Sequence, residues 1–197
     1  NGGKISIYSN DDGIHADGVL TISDGIIDIT KSYEGLEGLQ VIINNGDISI
    51  VSSDDGINST ATSGQGIVID GGNLYILAGG DGLDSNSRTA YSGIVFKGGK
   101  TVVISTSGGN SAIDTEAGYT YTSGSVLAIL PNGGMTSEAT HCSNFSSVAK
   151  KISMSLSSGK TLTVSVSNSA ILSVKIPCNL SAIVIYLGST SANISLN

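Results

Sequence analysis

The sequence contains no tryptophan, only two phenylalanines and two prolines, and a single arginine, Arg88. A core with so few aromatic side chains must rely on Ile, Val and Leu, which suits thin stacked β-sheets. The net charge of −7 excludes nucleic acid as a partner, because phosphate binding requires clustered Lys and Arg. No apolar run approaches the roughly 20 residues that cross a bilayer, so we expect no membrane insertion.

Cysteine is equally scarce, and Cys142 and Cys178 both lie in the last third of the chain. The low charge and the abundance of Ser, Thr, Asn and Gly suggest a secreted bacterial protein, in which disulfides form. We therefore expect a disulfide between these residues, which would stabilise the fold by roughly 3–4 kcal/mol through loop closure. The alternative is two buried thiols. The chain begins inside a repeat, so we expect a mature or trimmed form.

Glycine is abundant, with 27 residues, and it recurs in one repeated turn. Each copy consists of an acid, a glycine, an aliphatic residue and a second polar group, although the last copy has lost the acid and the glycine. The copies begin at Asp12, Glu34, Asp55, Asp81 and Ser111, so the steps are 22, 21, 26 and 30 residues. A fixed element that returns at this interval is typical of a solenoid, in which successive coils stack.

Short β-branched runs separate these turns. One series follows a glycine turn and another precedes it, so each coil holds about three short strands with little room for a helix. This pattern predicts an all-β protein with a parallel β-helix over residues 1–130. The runs are 26–29, 48–50, 74–76, 102–104 and 126–129 in the first series, and 19–22, 41–43, 67–69 and 94–96 in the second.

The pattern changes after Pro131. Strictly alternating segments follow, and alternation indicates antiparallel strands with one buried face. A solenoid must cover its open end, which otherwise offers a sheet edge to other chains. Residues 131–197 are therefore predicted to form a C-terminal antiparallel β cap packed on the helix. The alternating segments are 152–156, 161–166, 171–176, 183–187 and 194–196.

Stacking would bring the acidic turns together, because equivalent residues of successive coils lie about 4.8 Å apart. Carboxylates at that spacing repel by about 1 kcal/mol in water and about 3 kcal/mol at an effective dielectric constant near 20, unless a cation lies between them. Many oxygen ligands, few histidines and no nearby cysteine favour Ca²⁺ over zinc or copper. The candidate calcium ligands are Asp12, Asp17, Glu34, Glu37, Asp55, Asn58, Asp81, Asp84, Asn86, Asp114 and Glu116.

We expect more than one calcium ion, each bound by adjacent coils and acting partly as a structural staple. The alternative is that these acids are solvated turn formers, since Asp-Gly is a common turn dipeptide. Four aligned copies favour the metal site over this alternative.

The acid-Gly-(Ile/Leu)-polar turns, the Gly-Gly turns and the segment Ser123–Ile129 resemble a family of secreted carbohydrate-binding proteins from cellulose-degrading anaerobic bacteria. The resemblance covers most of the chain and is strongest over residues 10–130. It implies a right-handed parallel β-helix similar to pectate lyases, with calcium sites at the acidic turns. It also implies binding of cellulose or of acidic glycans such as polygalacturonate.

Three functions are compatible with these features. The first is a non-catalytic, secreted, monomeric protein that binds plant cell-wall polysaccharide on a flat face of the helix. The second is a calcium-dependent pectate-type lyase, in which Arg88 or a lysine would abstract a proton. The third is a structural cell-surface adhesin or spacer. The candidate sugar contacts are Tyr33, Tyr91, Tyr119 and Tyr121 as stacking rings, and Arg88, Lys97 and Lys100 as partners of carboxylates.

Overall fold

The computed structural model describes residues 2–197, and most of them lie in β-strands. The solenoid strands are β1 (Lys4–Tyr8), β2 (Ile14–Ile22), β3 (Ile26–Ser32), β4 (Leu36–Ile43), β5 (Asp47–Ser52), β6 (Ile57–Ser59), β7 (Ile67–Ile69), β8 (Asn73–Ala78), β9 (Leu83–Ser85), β10 (Ile94–Phe96), β11 (Lys100–Ser105), β12 (Ile113–Thr115), β13 (Tyr119–Tyr121) and β14 (Ser125–Pro131). The later elements are α1 (Thr136–Thr140), α2 (Phe145–Val148), β15 (Ala149–Leu156), β16 (Thr161–Val166), β17 (Ser169–Lys175), β18 (Leu180–Leu187) and β19 (Asn193–Leu196).

One face of the solenoid is a long sheet in which β1, β3, β5, β8, β11 and β14 pair in parallel and in that order. Its strands from β3 onward follow glycines with positive φ, the first of which is Gly25 at φ 120°. Only glycine adopts this conformation without steric cost, which explains the regular glycine before each run. Alternate residues such as Ile29, Ile50 and Ile76 stack inside the coil and are fully buried.

The opposite wall is a second sheet that gives each coil its other two strand segments. In the first two coils these segments merge into the single strands β2 and β4. From the third coil onward they separate, and β4 pairs with both β6 and β7. The predicted parallel β-helix with three strand segments per coil is therefore confirmed, as a solenoid of about five turns.

The segment after Pro131 extends the solenoid and also covers part of it. Strand β18 pairs antiparallel with β14, and β15 pairs with β18, so the long sheet continues past the last coil. Strands β17, β16 and β19 form a separate antiparallel outer sheet. This outer sheet packs its apolar side on the outer face of the long sheet and creates a second core, which includes Leu162 and Val164 of the outer sheet and Val102 and Leu127 of the long sheet. No helix within residues 2–197 has the length and apolarity to cross a membrane.

The expected disulfide is wrong: Cys142 and Cys178 are both free thiols. Cys142 belongs to the core inside the solenoid and pairs through a β-bridge with Tyr119. Cys178 lies in the loop between β17 and β18, beside Ile104 and Ile129 on the outer side of the long sheet. The sheet therefore separates the two thiols. The alternative of two buried thiols holds for Cys142, whereas Cys178 is only partly buried.

Candidate functional site

The strand register stacks the repeated turns one above another. The aliphatic residue of each turn pairs in register with that of the next turn, from β2 through β4, β6 and β9 to β12. These residues therefore form one row, which consists of Ile14, Leu36, Ile57, Leu83 and Ile113. The next residue of each turn points outward, and these residues form a parallel column. This second column consists of His15, Glu37, Asn58, Asp84 and Asp114.

The first acids of the turns form a neighbouring column, Asp12, Glu34, Asp55 and Asp81, with Ser111 in the last coil. Each following glycine donates its N–H to the carbonyl of the next coil's acid, as Gly56 does to Asp81 at 2.9 Å. Carboxylates also reach between coils, since Asp81 N–H donates to Asp55 Oδ1 at 2.8 Å. We call the two columns together the acidic ladder.

The glycines of the acidic ladder are required by the stacking distance. A Cβ on Gly56 would lie 2.4 Å from the carbonyl oxygen of Gly82 and 2.2 Å from Cγ2 of Ile76. A Cβ on Gly35 would lie 2.2 Å from the carbonyl oxygen of Gly56. The last copy carries Ala112 instead, and no further turn of this kind stacks beyond it. This explains how the last copy can lose its glycine.

The middle of the acidic ladder holds partly buried carboxylates without basic partners among the described residues. Burial raises the pKa of Asp84 to about 7, and the neighbouring carboxylates of Asp55 and Asp114 add to the shift. Burial likewise raises the pKa of Asp81 and of Glu34 to about 7. The pKa values of Asp55 and Asp114 are also raised, mainly by burial. These groups would be stabilised as carboxylates by a cation.

Asn58 lies between Glu37 and Asp84 in the second column and has an unsatisfied acceptor. Its Nδ2 donates to both carboxylate oxygens of Glu34 at 3.1 Å. Its Oδ1 is buried and has no hydrogen-bond partner among the residues that the structure describes. A buried amide oxygen without a partner costs free energy, and here the neighbours of Asn58 in the column are the carboxylates of Glu37 and Asp84. These oxygens are of the kind that a hard cation prefers. Within residues 2–197, however, the ligand atoms of three or more acidic or histidine side chains come within 4.8 Å of one another only at Asp12, His15 and Glu37.

The N-terminal end of the acidic ladder is different, because His15 replaces an oxygen-bearing residue there. Its Nδ1 lies 2.5 Å from Glu37 Oε2 and 3.4 Å from Asp12 Oδ2, and its Nε2 lies 3.3 Å from Asp17 Oδ1. Hydrogen bonds to Glu37 and then to Asp17 raise the pKa of His15. The first coil thus has a basic side chain among its carboxylates, which the middle of the acidic ladder lacks within the described residues. Asp12, His15 and Glu37 also place their ligand atoms within 4.8 Å of one another.

Three predicted calcium ligands lie at the margin of the acidic ladder. The Asp17 side chain is fully exposed, at 105% of its reference area, and contacts only the ring of His15 among the described residues. Asn86 and Glu116 are exposed residues that follow β9 and β12. Their positions extend the acidic ladder outward but place neither side chain among the partly buried carboxylates.

The prediction that Tyr119 and Tyr121 stack on sugar rings is wrong. Tyr119 is fully buried, and its hydroxyl donates to the carbonyl of Ala139 at 2.8 Å. Tyr121 is 7% exposed, and its hydroxyl donates to the carbonyl of Gly124 at 2.7 Å. Both alternate with Thr120 on β13, so the strand directs them into the solenoid core and directs Thr120 outward.

The other predicted sugar contacts are exposed but scattered. Tyr33 is 50% exposed beside the acidic ladder, where hydrogen bonding to Asp54 raises its pKa. Tyr91 packs edge-on against His141 with ring centroids 5.4 Å apart. Lys97 pairs with Asp70 at 3.1 Å. Arg88 and Lys100 are exposed, and neither forms an ion pair within residues 2–197, so the structure does not bring Arg88 to the acids.

Sequence reasoning did not include His15 among the candidate site residues. Its position in the motif, opposite the glutamate of the next copy, was a signal that the acids of the first coil have a basic neighbour. The side chains that face outward from the long sheet were also missed, because they belong to strands rather than to the repeated turn.

Comparison with known proteins identifies one matching protein family. A family model described as "Carbohydrate-binding domain-containing protein" matches residues 1–65 and, in a second match, residues 40–192. The matches overlap, as stacked coils of similar sequence allow. No curated protein and no solved structure matches the chain significantly.

Proposed function

Since the chain belongs to this family of carbohydrate-binding domain-containing proteins, we propose that it binds acidic polysaccharide through calcium held in the acidic ladder. The proposal rests on the partly buried carboxylates near Asn58. Burial raises the pKa values of Asp81 and Asp84 to about 7, and Asn58 Oδ1 has no hydrogen-bond partner among the described residues. Such groups favour a bound cation, and their oxygen chemistry favours Ca²⁺.

The residues of the middle coils would hold the ion. Asp55, Asp81 and Asp84 would contribute carboxylate oxygens and Asn58 its unsatisfied Oδ1, with Glu34 and Asp114 at the two ends. When bound, calcium supplies positive charge and open coordination positions for an anionic ligand. Because the ligands come from adjacent coils, binding would also fasten these coils to each other.

Acidic sugars are the ligands that suit this arrangement. A uronate carboxylate can complete the coordination of a calcium ion that the ladder oxygens leave partly open. Tyr33, half-exposed and next to Asp54 and Asp55, is placed to stack on a sugar ring beside the ion. The N-terminal coil would contribute less, since His15 already occupies the space between Asp12 and Glu37 there.

We further propose that the protein is not an enzyme and acts outside the cell as a monomer on plant cell-wall polysaccharide. Lyase chemistry would require a base next to the calcium-bound uronate, and Arg88 forms no ion pair with the ladder acids. Extracellular calcium suits weak sites, which bind at roughly 10⁻⁴–10⁻³ M.

Electrophoresis in gels containing polygalacturonate tests this function. We expect retardation in millimolar Ca²⁺, little retardation in EGTA, and at least about tenfold weaker binding in Asp84→Asn and Asp81→Asn. The matched control is Asp24→Asn, which makes the same charge change at an exposed turn outside the acidic ladder.

Three results would contradict parts of the proposal. Retardation that persists in EGTA and in both ladder variants would remove calcium from recognition. Absence of retardation by any polysaccharide would favour the structural spacer. Unsaturated product that absorbs in the ultraviolet and is lost in Arg88→Ala would establish a lyase instead.

A further inference from the structure

A groove on the outer face of the long sheet follows strand β17 of the outer sheet. At one end β3, β5 and β8 form its floor, Leu172 of β17 forms its side wall, and the volume is about 370 Å³. At the other end β5 and β8 again form the floor, Pro177 and Cys178 form the wall, and the volume is about 410 Å³. Among the described residues, β16 and β19 contribute nothing to either wall, so the groove lies on the side of β17 that faces away from β16.

The backbone of β17 is unpaired on this side. Within the described residues β17 is an edge strand, because the outer sheet has the order β17-β16-β19. Thr161 of β16 exchanges both backbone hydrogen bonds with Asn197, at 3.0 and 2.9 Å, so its backbone groups point away from Lys175, the residue opposite it in β17. Hydrogen-bonded and non-hydrogen-bonded pairs alternate along an antiparallel ladder. The N–H and C=O groups of Ser173 and Lys175 therefore point to the free edge, along the groove.

The floor of the groove continues the packing surface of the second core. Where the outer sheet covers the long sheet, the outward side chains are apolar and buried, as at Val102 and Leu127. Tyr75 and Leu77 of the floor are only partly covered by that core, and Val51 is 37% exposed. A further strand of the outer sheet would lie about 4.8 Å from β17 and about 10 Å above the long sheet, the ordinary spacings of paired strands and packed sheets. It would extend the second core over this floor.

We propose that the groove binds an extended segment of a partner polypeptide, which adds to β17 as a fourth, antiparallel strand of the outer sheet. Free main-chain donors and acceptors at alternate residues, here Ser173 and Lys175, are the pattern that another strand matches. The inward side chains of the added strand would be apolar, because they would pack on Tyr75 and Val51. This inference does not depend on the proposed glycan binding.

The charge of Lys175 selects among polypeptide partners. Its side chain is exposed on the outer side of the edge strand, and cross-strand pairs of opposite charge are favourable. The partner would therefore place an acidic side chain opposite Lys175. A lysine on an edge strand also disfavours pairing of two identical edges, so the partner is not a second copy of this chain.

Fluorescence anisotropy with a labelled peptide of alternating Val and Glu, about eight residues long like an ordinary strand, tests the proposal. Ser173→Pro removes one free N–H of the edge but keeps the pairing with β16, since proline is tolerated on an edge strand where its nitrogen faces outward. We expect it to weaken peptide binding by at least about tenfold. The control Ser173→Ala loses the same hydroxyl but keeps the N–H, and we expect it to change the affinity less than about twofold. Thermal unfolding verifies that both variants fold.

Hydrogen exchange measured by NMR identifies the edge that the peptide occupies. We expect the amide protons of Ser173 and Lys175 to exchange more slowly in the complex, whereas the amide of Val174, which already faces β16, will change little. Methylation of the peptide nitrogens of the glutamates, which would pair with Ser173 and Lys175, will abolish binding although every side chain is kept.

Four results would overturn the proposal. They are absence of peptide binding, equal affinity of Ser173→Pro and the unchanged protein, equal binding of the methylated peptide, and unchanged exchange at Ser173 and Lys175. Self-association of the chain that Ser173→Pro abolishes would assign the edge to a second copy instead. None of these results affects calcium binding or glycan binding at the acidic ladder.

Discussion

Metal-free protein will become less stable as the pH rises from about 4 to about 7. The folded-state pKa values of Glu34, Asp81 and Asp84 are raised to about 7, from ordinary values of 4.5 for Glu and 3.8 for Asp. Between these limits the folded protein binds more protons than the unfolded chain, so the free energy of unfolding falls with increasing pH. The raised pKa of His15 acts in the same direction near and above the ordinary histidine value of 6.5.

Calcium will counteract this loss of stability with rising pH. It binds the ionised forms of Glu34, Asp81 and Asp84, which burial disfavours in the metal-free protein. At a free ion concentration one hundred times Kd, each site stabilises the folded state by about 2.7 kcal/mol. For a chain of this length that corresponds to an increase in Tm of roughly 5–10 °C per site. The increase will be larger at pH 8 than at pH 5, since protons compete with the metal at low pH.

Thermal unfolding followed by circular dichroism at pH 5, 6, 7 and 8, in EGTA and in millimolar Ca²⁺, measures both effects. Asp84→Asn will flatten the pH dependence in EGTA and reduce the calcium effect, whereas Asp24→Asn will change neither. A metal-free Tm that does not fall between pH 5 and 7 would contradict the raised pKa values and favour solvated turn formers. An increase in Tm with Mg²⁺ as large as with Ca²⁺ would contradict the assigned metal.

The fold could be predicted because successive coils of the solenoid require the same residue types at equivalent positions. Each coil requires a glycine before its long-sheet strand and another beside its acid, so the period is visible in the sequence without any knowledge of distant contacts. In-register stacking then follows, and with it the alignment of Asp55, Asn58, Asp81 and Asp84. Periodicity alone therefore predicts that the acidic turns stack on one another.

What could not be predicted depends on contacts between non-repeating parts. The fate of Cys142 and Cys178 depends on which side of the long sheet each C-terminal segment occupies, and spacing carries no such information. Tyr119 and Tyr121 lie in a short strand where alternation decides orientation, and three residues are too few to identify the buried face. The groove at Tyr75 arises only where the outer sheet ends.

Gly56→Ala will destabilise the protein by about 3 kcal/mol, the upper end of the range for overpacked cores. Its new Cβ would lie 2.2 Å from Cγ2 of Ile76 and 2.4 Å from the carbonyl oxygen of Gly82. Backbone atoms of the next coil cannot rotate away as a side chain can, so the third and fourth coils must separate. The hydrogen bond from Gly56 N–H to the carbonyl of Asp81 would lengthen with them.

Urea unfolding of Gly56→Ala measures this cost, and Gly108→Ala is the control, because a Cβ on Gly108 meets no atom within 4 Å. Since separation of the coils moves Asp55 away from Asp81, Gly56→Ala will also weaken calcium binding although no proposed ligand is altered. A loss of stability without any loss of calcium affinity would mean that the ion does not bridge these two coils. A loss below about 0.5 kcal/mol, the range of ordinary surface substitutions, would contradict the tight stacking itself.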